Sequence, residues 1–210
     1  MAIVRQGILG GFRGRVGNIV GTGWKGKAVM KSLPLTVANP RTAGQVKQRN
    51  RFSLLVHLAS GILASIVKPL WDRSASGMSG YNSFISANQN AFHPSGELSF
   101  EDFIISRGRM LAPASIVAVK SGDDVNVTVT HPAGDRYALP SDKVYCLVLC
   151  DDGKTAAYAG QTSATRGASA TSQFTAAGAN NVATGEPVCA YVAYLRSDGS
   201  EVSNSASYVL

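Results

Sequence analysis

The chain has 210 residues, of which 45% are hydrophobic and 16% are charged, a composition typical of a globular protein and not of a disordered one. Its formal net charge of +7 is unevenly distributed, because residues 1–71 hold 11 Lys/Arg and no Asp or Glu, whereas residues 72–210 hold 9 Lys/Arg and 13 Asp/Glu, a net charge of −4. The N-terminus lacks the long apolar stretch of a secretory signal, and the longest apolar run is shorter than the about 20 residues of a membrane span, so neither export by that route nor a membrane span is expected.

The first predicted element is a glycine-rich β arm in residues 1–36. Eight glycines in this segment separate short apolar runs such as 16–20 and 28–33. Since glycine costs about 1 kcal/mol at each helical position, we predict two or three short strands joined by tight turns. So small an element cannot bury enough apolar surface alone, and we expect it to pack on the rest of the chain or on another subunit.

Residues 39–93 are predicted to form a helical hairpin. Asn39-Pro40 combines a preferred N-cap residue with proline at the first helical position. Apolar residues then recur every three or four positions, and we expect this long helix to stop before Pro69. A second, shorter helix is predicted to open at Ser79 and to end at Pro94-Ser95-Gly96. The short linker between them favours an antiparallel arrangement.

From about residue 102 onward the apolar pattern has a period of two and predicts seven short strands separated by turn signals. Seven strands in about 100 residues are typical of an antiparallel β-sandwich of immunoglobulin or fibronectin-III type. The predicted fold class is therefore α+β, with a basic β arm and helical hairpin in residues 1–100 and the sandwich in residues 101–210. The predicted strands are 115–120, 124–130, 143–150, 155–160, 170–176, 187–196 and 203–210.

Several motifs of the chain occur together in a characteristic order. They are Gly10-Gly11-Phe12-Arg13-Gly14-Arg15-Val16-Gly17-Asn18-Ile19-Val20-Gly21, Trp24-Lys25-Gly26, Asn39-Pro40-Arg41-Thr42 with Gln45, Gln48, Arg49 and Phe52, Tyr81-Asn82-Ser83-Phe84 with Asn88, Asp198-Gly199, and Ser203-Asn204-Ser205. Together these motifs resemble a family of uncharacterised proteins from Bacteroidota and their phages. The resemblance implies a Bacteroidota or phage origin and a non-enzymatic, virion-associated role, and it implies no catalytic or binding residue.

The sequence contains no pattern that favours an active site. Residues 21–26 match G-x-G-x-x-G, but a dinucleotide site needs a helix after this string. Strand-like residues and Pro34 follow here, so we interpret the glycines as turn residues of a β element. The histidines His57, His93 and His131 have no metal-type spacing, and we expect His57 to be packed in its helix. We therefore predict no catalytic residue, no cofactor, no metal site and no enzymatic activity.

The acidic pairs and the cysteines are also interpreted structurally. Asp123-Asp124 and Asp151-Asp152 lie next to glycine in predicted hairpin turns, where Asp is favoured for backbone reasons. The three cysteines do not form a disulfide framework, and we expect buried, reduced thiols. This suits a protein that is cytoplasmic in its host or is incorporated in a virion assembled there.

The basic N-terminal segment is the strongest candidate for a contact surface. Its cations and interleaved aromatic rings could bind phosphates of nucleic acid, dock on a neighbouring subunit in an assembly, or pair with the acidic half of the chain. The leading hypothesis is a non-enzymatic structural protein that forms homo-oligomers or a larger assembly, and the alternative is a sequence-nonspecific nucleic-acid-binding protein. The predicted contact residues are Arg5, Phe12, Arg13, Arg15, Trp24, Lys25, Lys27, Lys31, Arg41, Lys47, Arg49 and Arg51.

Overall fold

The computed structural model describes residues 11–93, 95, 97–167, 170–179 and 186–210, together with the backbone of residues 2–4. Over these residues the chain is mixed α+β, with N-terminal strands, three α-helices and antiparallel sheets. The chain divides into two compact units, which we call the N-terminal unit (Met1–Thr42) and the body (Ala43–Leu210). This division at Thr42/Ala43 differs from the domain boundary expected from the sequence, between residues 100 and 101. The two domains at 1–100 and 101–210 stay a prediction.

The N-terminal unit is a four-stranded antiparallel sheet within the described residues, in the order β1-β4-β3-β2. The strands predicted for the glycine-rich arm are therefore confirmed. The structure has one strand more than the two or three expected, because a three-residue segment at the start of the chain pairs with β4. The strands are β1 (Ala2–Val4), β2 (Gly14–Val16), β3 (Ile19–Trp24) and β4 (Lys27–Ser32).

Glycine makes the tight turns of this sheet possible. Trp24 pairs with Lys27 across the β3–β4 hairpin, and the two residues between them, Lys25 and Gly26, have φ angles of 44° and 77°. Positive φ at both central residues is the type I′ geometry, which matches the twist of the flanking strands. Gly17, in the β2–β3 turn, has a φ of 56°. The expectation of tight glycine turns is confirmed.

The helical region of the body contains α1 (Ala43–Gly61), α2 (Lys68–Trp71) and α3 (Gly80–Asn88), with a π-helical segment at 63–67 before α2. The prediction that α1 starts at Asn39-Pro40 is wrong by about three residues. Thr42, directly before α1, is also of a residue type preferred at N-caps, so the sequence holds two start signals and the second applies. The start of α3 is confirmed, because the Ser79 side chain accepts a hydrogen bond from the Asn82 N–H at 3.2 Å. Its predicted end at Pro94-Ser95-Gly96 is wrong: α3 ends at Asn88, and Phe92 forms a β-bridge with Leu98.

The helix that was expected to run to Pro69 ends earlier, at Gly61, and helical structure then continues after a bend and includes Pro69. Residues 43–61 and 63–71 are inclined by 70°, and the π-helical segment lies at the junction. Pro69 is in the first turn of α2, where a missing N–H removes no hydrogen bond. In the described part of the chain no single helix is long and apolar enough to cross a membrane, although the two bent parts together pass that test of length and composition.

The seven predicted strands of the body are confirmed, with shifts of up to five residues at their ends. They form two antiparallel sheets in the described residues, β5-β6-β9 and β11-β10-β7-β8. The terminal hairpin pairs Cys189 with Val209 and Val192 with Ala206. The strands are β5 (Ser115–Ser121), β6 (Asp124–Thr130), β7 (Lys143–Cys150), β8 (Ala156–Thr165), β9 (Thr171–Ala176), β10 (Pro187–Leu195) and β11 (Ala206–Val209).

The body has three layers, with the four-stranded sheet in the middle. Along β7, Tyr145 and Leu147 face the core shared with the helices, whereas Val144 and Cys146 face the core shared with the other sheet. A strand buried on both faces needs a continuous apolar run, which explains the sequence of β7 and β10. A hydrogen bond from the Trp71 indole N–H to a backbone carbonyl, at 2.7 Å, ties the helical layer to the segment after α3.

Candidate contact surface of the N-terminal unit

Residues 11–13 lie across one face of the β3–β4 hairpin, and glycines make this close approach possible. A Cβ on Gly21 would lie 2.5 Å from the Phe12 carbonyl oxygen and 2.6 Å from its ring. A Cβ on Gly23 would lie 3.1 Å from the Arg13 guanidinium. Two glycines of the G-x-G-x-x-G match thus admit this crossing segment and the third makes the turn. This supports our interpretation of them as glycines of a β element.

The opposite face of the sheet carries cations and an aromatic ring. Side chains alternate between the two faces of a strand, and residues paired across strands share a face. The pairs Arg15–Val20, Val20–Lys31 and Trp24–Lys27 therefore place four predicted contact residues together. We call Arg15, Trp24, Lys27 and Lys31 the basic face; all four side chains are exposed.

A short apolar strip supports the basic face. Val29, which lies between Lys27 and Lys31 on β4, is buried, and Val20 on β3 is half-buried. Trp24 is 52% exposed, so about half of its surface is accessible to solvent. The face can thus present fixed positive charges and one flat apolar surface at the same time.

A cleft lies at the hairpin end of the unit. It has a volume of about 230 Å³, and its lining includes the side chains of Phe12, Arg13, Lys25 and Lys27 together with glycine backbone. Arg13 reaches the cleft from the covered face, over Gly23. Four of the predicted contact residues therefore line the cleft, and three more lie on the basic face beside it.

The division into units assigns the whole net charge of the chain to the N-terminal unit. Residues 1–42 hold seven Lys/Arg and no Asp or Glu, whereas residues 43–210 hold 13 of each. The body is therefore neutral overall. Several of its carboxylates are already engaged, for example Asp135 with Arg166 at 2.9 Å and Glu186 with Lys120 at 2.8 Å. Pairing of the basic segment with an acidic half of the chain is correspondingly less favoured than the sequence alone indicates.

The N-terminal unit also lacks an apolar core in its described part. Between residues 11 and 42 only Gly21 and Val29 are buried. Leu35 and Val37, in the extended segment after β4, are 89% and 76% exposed. The other large apolar side chains of this range that are exposed are Phe12, Val16, Ile19, Trp24 and Leu33.

Four of the remaining predicted contact residues lie in α1 or just before it. Arg41 is exposed just before α1, and Lys47 and Arg49 are exposed on its first turns. Arg51 donates hydrogen bonds to the Gln89 carbonyl oxygen and, at 3.2 Å, to the Asn90 side-chain oxygen, so it anchors α1 to the end of α3. Arg5 lies outside the described residues.

The body contains one buried polar cluster that the sequence analysis missed. The Arg166 guanidinium is paired with Asp135 at 2.9 Å and lies 4.7 Å from the centre of the Tyr194 ring. His131 Nδ1 shares a hydrogen bond of 2.8 Å with the Tyr194 hydroxyl. Burial and the nearby Arg166 charge hold the pKa of His131 below its usual value. The residues of this cluster are spread from position 131 to position 194, so no local sequence pattern indicates it.

The other titratable residues contribute no second site. Among the described residues there is no group of three or more His, Cys, Asp or Glu that could hold a metal ion. His57 is exposed, and the expectation that it is packed is wrong, because it lies on the outer side of α1. The Asp152 side chain accepts backbone hydrogen bonds from Lys154 and Thr155, each at 2.8 Å, which supports the turn interpretation of this aspartate.

The cysteine side chains are buried, as expected. Cys146 and Cys150 lie on β7 and Cys189 on β10. Burial raises the pKa of all three thiols, so the reactive thiolate form is disfavoured. The thiols therefore behave as packing groups of the central sheet.

Comparison with known proteins identifies the family of the chain. The family model described as "Family of unknown function (DUF6266)" matches residues 11–209, and the chain belongs to this family. No curated protein and no solved structure matches the chain. Membership in one family over nearly the whole chain is thus established, whereas the individual motifs and the Bacteroidota or phage origin stay predictions.

Proposed function

We propose that this member of the DUF6266 family is a non-enzymatic structural protein of a larger assembly, such as a phage virion formed in a Bacteroidota host. The N-terminal unit is its contact element and binds neighbouring subunits or packaged nucleic acid. The protein is made in the host cytoplasm and is incorporated in the particle there.

The exposed apolar surface of the N-terminal unit carries this proposal. Short strands need a packed apolar face for stability, yet Leu35, Val37 and Trp24 are all more than half exposed. Large apolar side chains that remain exposed on a unit without a buried core are available for contact with a partner. A second copy of the chain is the simplest partner, because oligomers of identical subunits are the common case.

The body supplies the structural module in this proposal, as a sandwich of immunoglobulin or fibronectin-III type. Its first, second and fifth strands form one sheet, and the other four form the second sheet in the order seventh, sixth, third, fourth. An immunoglobulin constant domain differs only in that its fourth strand joins the first sheet. This likeness supports a structural role by analogy of fold.

Multi-angle light scattering of the full chain over a range of concentrations tests the proposal. We expect oligomers in the native protein and weaker association in the double variant Leu35→Ser/Val37→Ser. The matched control is Val117→Ser/Val119→Ser, which changes two exposed valines on β5 and should retain the native mass. A monomer at every concentration contradicts the proposal. Loss of oligomers in the control variant alone would assign the contact to β5.

The charge distribution favours a second candidate, a sequence-nonspecific nucleic-acid-binding protein. Residues 1–42 carry seven cations and no carboxylate, and such a segment attracts a polyanion whatever its sequence. This candidate requires no oligomer, so the light-scattering mass distinguishes the two. Binding to random DNA should be present at about 50 mM salt and should fall steeply by about 200 mM.

A further inference from the structure

The electrostatics of the basic face suit a chain of phosphates. Arg15, Lys27 and Lys31 project from one surface of the sheet, and each is separated from the next by one apolar position. No Asp or Glu occurs anywhere in residues 1–42, so no carboxylate of the unit itself competes for these cations. Arg13 and Lys25 add positive charge at the cleft that borders the face.

The aromatic ring on the same face adds a second kind of contact. Trp24 lies directly opposite Lys27 in the pairing of β3 with β4, and its side chain is 52% exposed. Proteins that hold single-stranded nucleic acid without sequence preference combine a positively charged track with aromatic side chains on which bases stack. Both parts are present here on one sheet surface.

We infer that the basic face binds single-stranded nucleic acid, with phosphates on Arg15, Lys27 and Lys31 and a base stacked on Trp24. The inference deepens the proposed function and rests on its identification of the N-terminal unit as the contact element. The phosphates of duplex DNA can pair with these cations equally well. The bases of a duplex, however, are already stacked on one another and offer no face to Trp24. Single strands are therefore preferred.

The other polyanionic surface to consider is the acidic end of a second copy. The Asp151 N–H donates to the Glu186 carbonyl oxygen at 2.9 Å, and the Glu186 carboxylate reaches Lys120, next to the turn before Asp124. Several acids therefore meet at this end of the body. They offer no ring for Trp24 to stack on, and the body as a whole is neutral, so its attraction at long range is weak.

Fluorescence anisotropy with the full chain tests the inference. The probes are a fluorescein-labelled oligothymidylate and a labelled duplex of the same length, each titrated at about 50 and about 200 mM salt. We expect tighter binding of the single strand. Because Trp71 is buried and Trp24 is exposed, quenching of tryptophan fluorescence on binding reports on Trp24.

Three variants separate stacking from charge. Trp24→Ala should weaken single-strand binding about 5- to 100-fold, and Trp24→Phe, which keeps a ring, should restore most of it. Lys27→Gln/Lys31→Gln should reduce the slope of log affinity against log salt by about 1.4, or about 0.7 for each phosphate that the variant no longer neutralises. Lys68→Gln/Lys154→Gln removes the same charge from exposed positions of the body and should leave the slope unchanged.

Three results would overturn the inference: no binding at low salt, equal or tighter binding of the duplex, or no effect of Trp24→Ala. Loss of oligomers in Lys27→Gln/Lys31→Gln without any DNA binding also overturns it and assigns the face to a second copy. Light scattering of the same samples without DNA keeps the two proposals apart. Oligomers without single-strand binding refute only this inference, whereas single-strand binding by a monomer refutes only the assembly.

Discussion

In the body, Phe84, Phe103 and Tyr191 are buried in one core, whereas in the N-terminal unit Trp24 and Leu35 are exposed. The charges differ in the same way, since the body holds equal numbers of acids and bases and the N-terminal unit holds bases only. One unit thus uses its large side chains for its own stability, and the other presents them outward. We propose that stability and contact depend on different parts of the chain.

Because of this difference, replacing a phenylalanine by alanine should strongly destabilise the body when the residue lies in the body and hardly at all when it lies in the N-terminal unit. The loss in the body is the largest effect we expect. Phe103 is 1% exposed and packs edge-to-face between Phe84, at 5.9 Å, and Tyr191, at 5.3 Å. Phe103→Ala should therefore lower the free energy of unfolding of the body by about 3–5 kcal/mol. Phe12→Ala should change it by less than about 0.5 kcal/mol. Denaturant unfolding followed by the fluorescence of buried Trp71 measures both, and similar losses in the two variants would refute the separation.

A buried amide gives the next largest contrast. The Asn88 side chain accepts a hydrogen bond from the Ile104 N–H at 2.8 Å and donates to the Ile104 and Phe84 carbonyl oxygens at 2.9 and 3.2 Å. Asn88→Ala removes the partner of both Ile104 backbone groups and should destabilise the body by about 1–3 kcal/mol. Asn18→Ala, at an exposed turn position, is the matched control and should leave the unfolding of the body unchanged. Equal midpoints for the two variants in the same denaturant titration would contradict this prediction.

The strands of the body could be predicted from sequence because their signals are local. Alternation in β6 and a continuous apolar run in β7 are each complete within one strand, and Gly-containing turns bound them. The packing of the helices on the four-stranded sheet could not be predicted in the same way. It depends on which face of β7 meets Trp71 and its neighbours, and these residues are more than 70 positions apart.

The sequence indicates which residues are candidates for the contact surface but not how they are arranged on the sheet. Charge counting singled out Arg13, Arg15, Lys27 and Lys31 together, but only the register of β2, β3 and β4 separates Arg13 from the other three. The position of Arg13 follows from the contact of Phe12 with Gly21, a packing choice that a linear pattern does not encode.

The contact between Phe12 and Gly21 leads to a third prediction, which concerns the N-terminal unit alone. The Cβ of Gly21→Ala would meet the backbone oxygen of Phe12 at 2.5 Å, so residues 11–13 must shift. In Gly23→Ala the nearest atom is the flexible end of Arg13, at 3.1 Å, which can move at little cost. We expect amide chemical shifts of the N-terminal unit to change widely in Gly21→Ala and only next to the substitution in Gly23→Ala. Body signals should stay in place in both, and broad changes there would show that the two units are coupled.

The smallest predicted effect is a pH dependence that belongs to the body alone. Burial, and then the charge of Arg166, lower the pKa of His131, and its Nε2 is buried without a hydrogen-bond partner among the described residues. The unfolded chain therefore binds a proton at higher pH than the folded body does, near the ordinary value of 6.5. Stability should fall as the pH drops from 6.5 toward the lowered pKa of the folded state, and should level off below it.

Thermal unfolding over this pH window measures the effect. It should disappear in His131→Gln, which cannot take up the proton, and it should persist in the matched control His57→Gln, which changes an exposed histidine of α1. If both variants keep the native pH dependence, His131 is not its source. Because the N-terminal unit contains no histidine and no carboxylate in residues 1–42, its binding of a polyanion should not share this pH dependence. A common pH profile for unfolding and for binding would therefore show that contact and stability are linked after all.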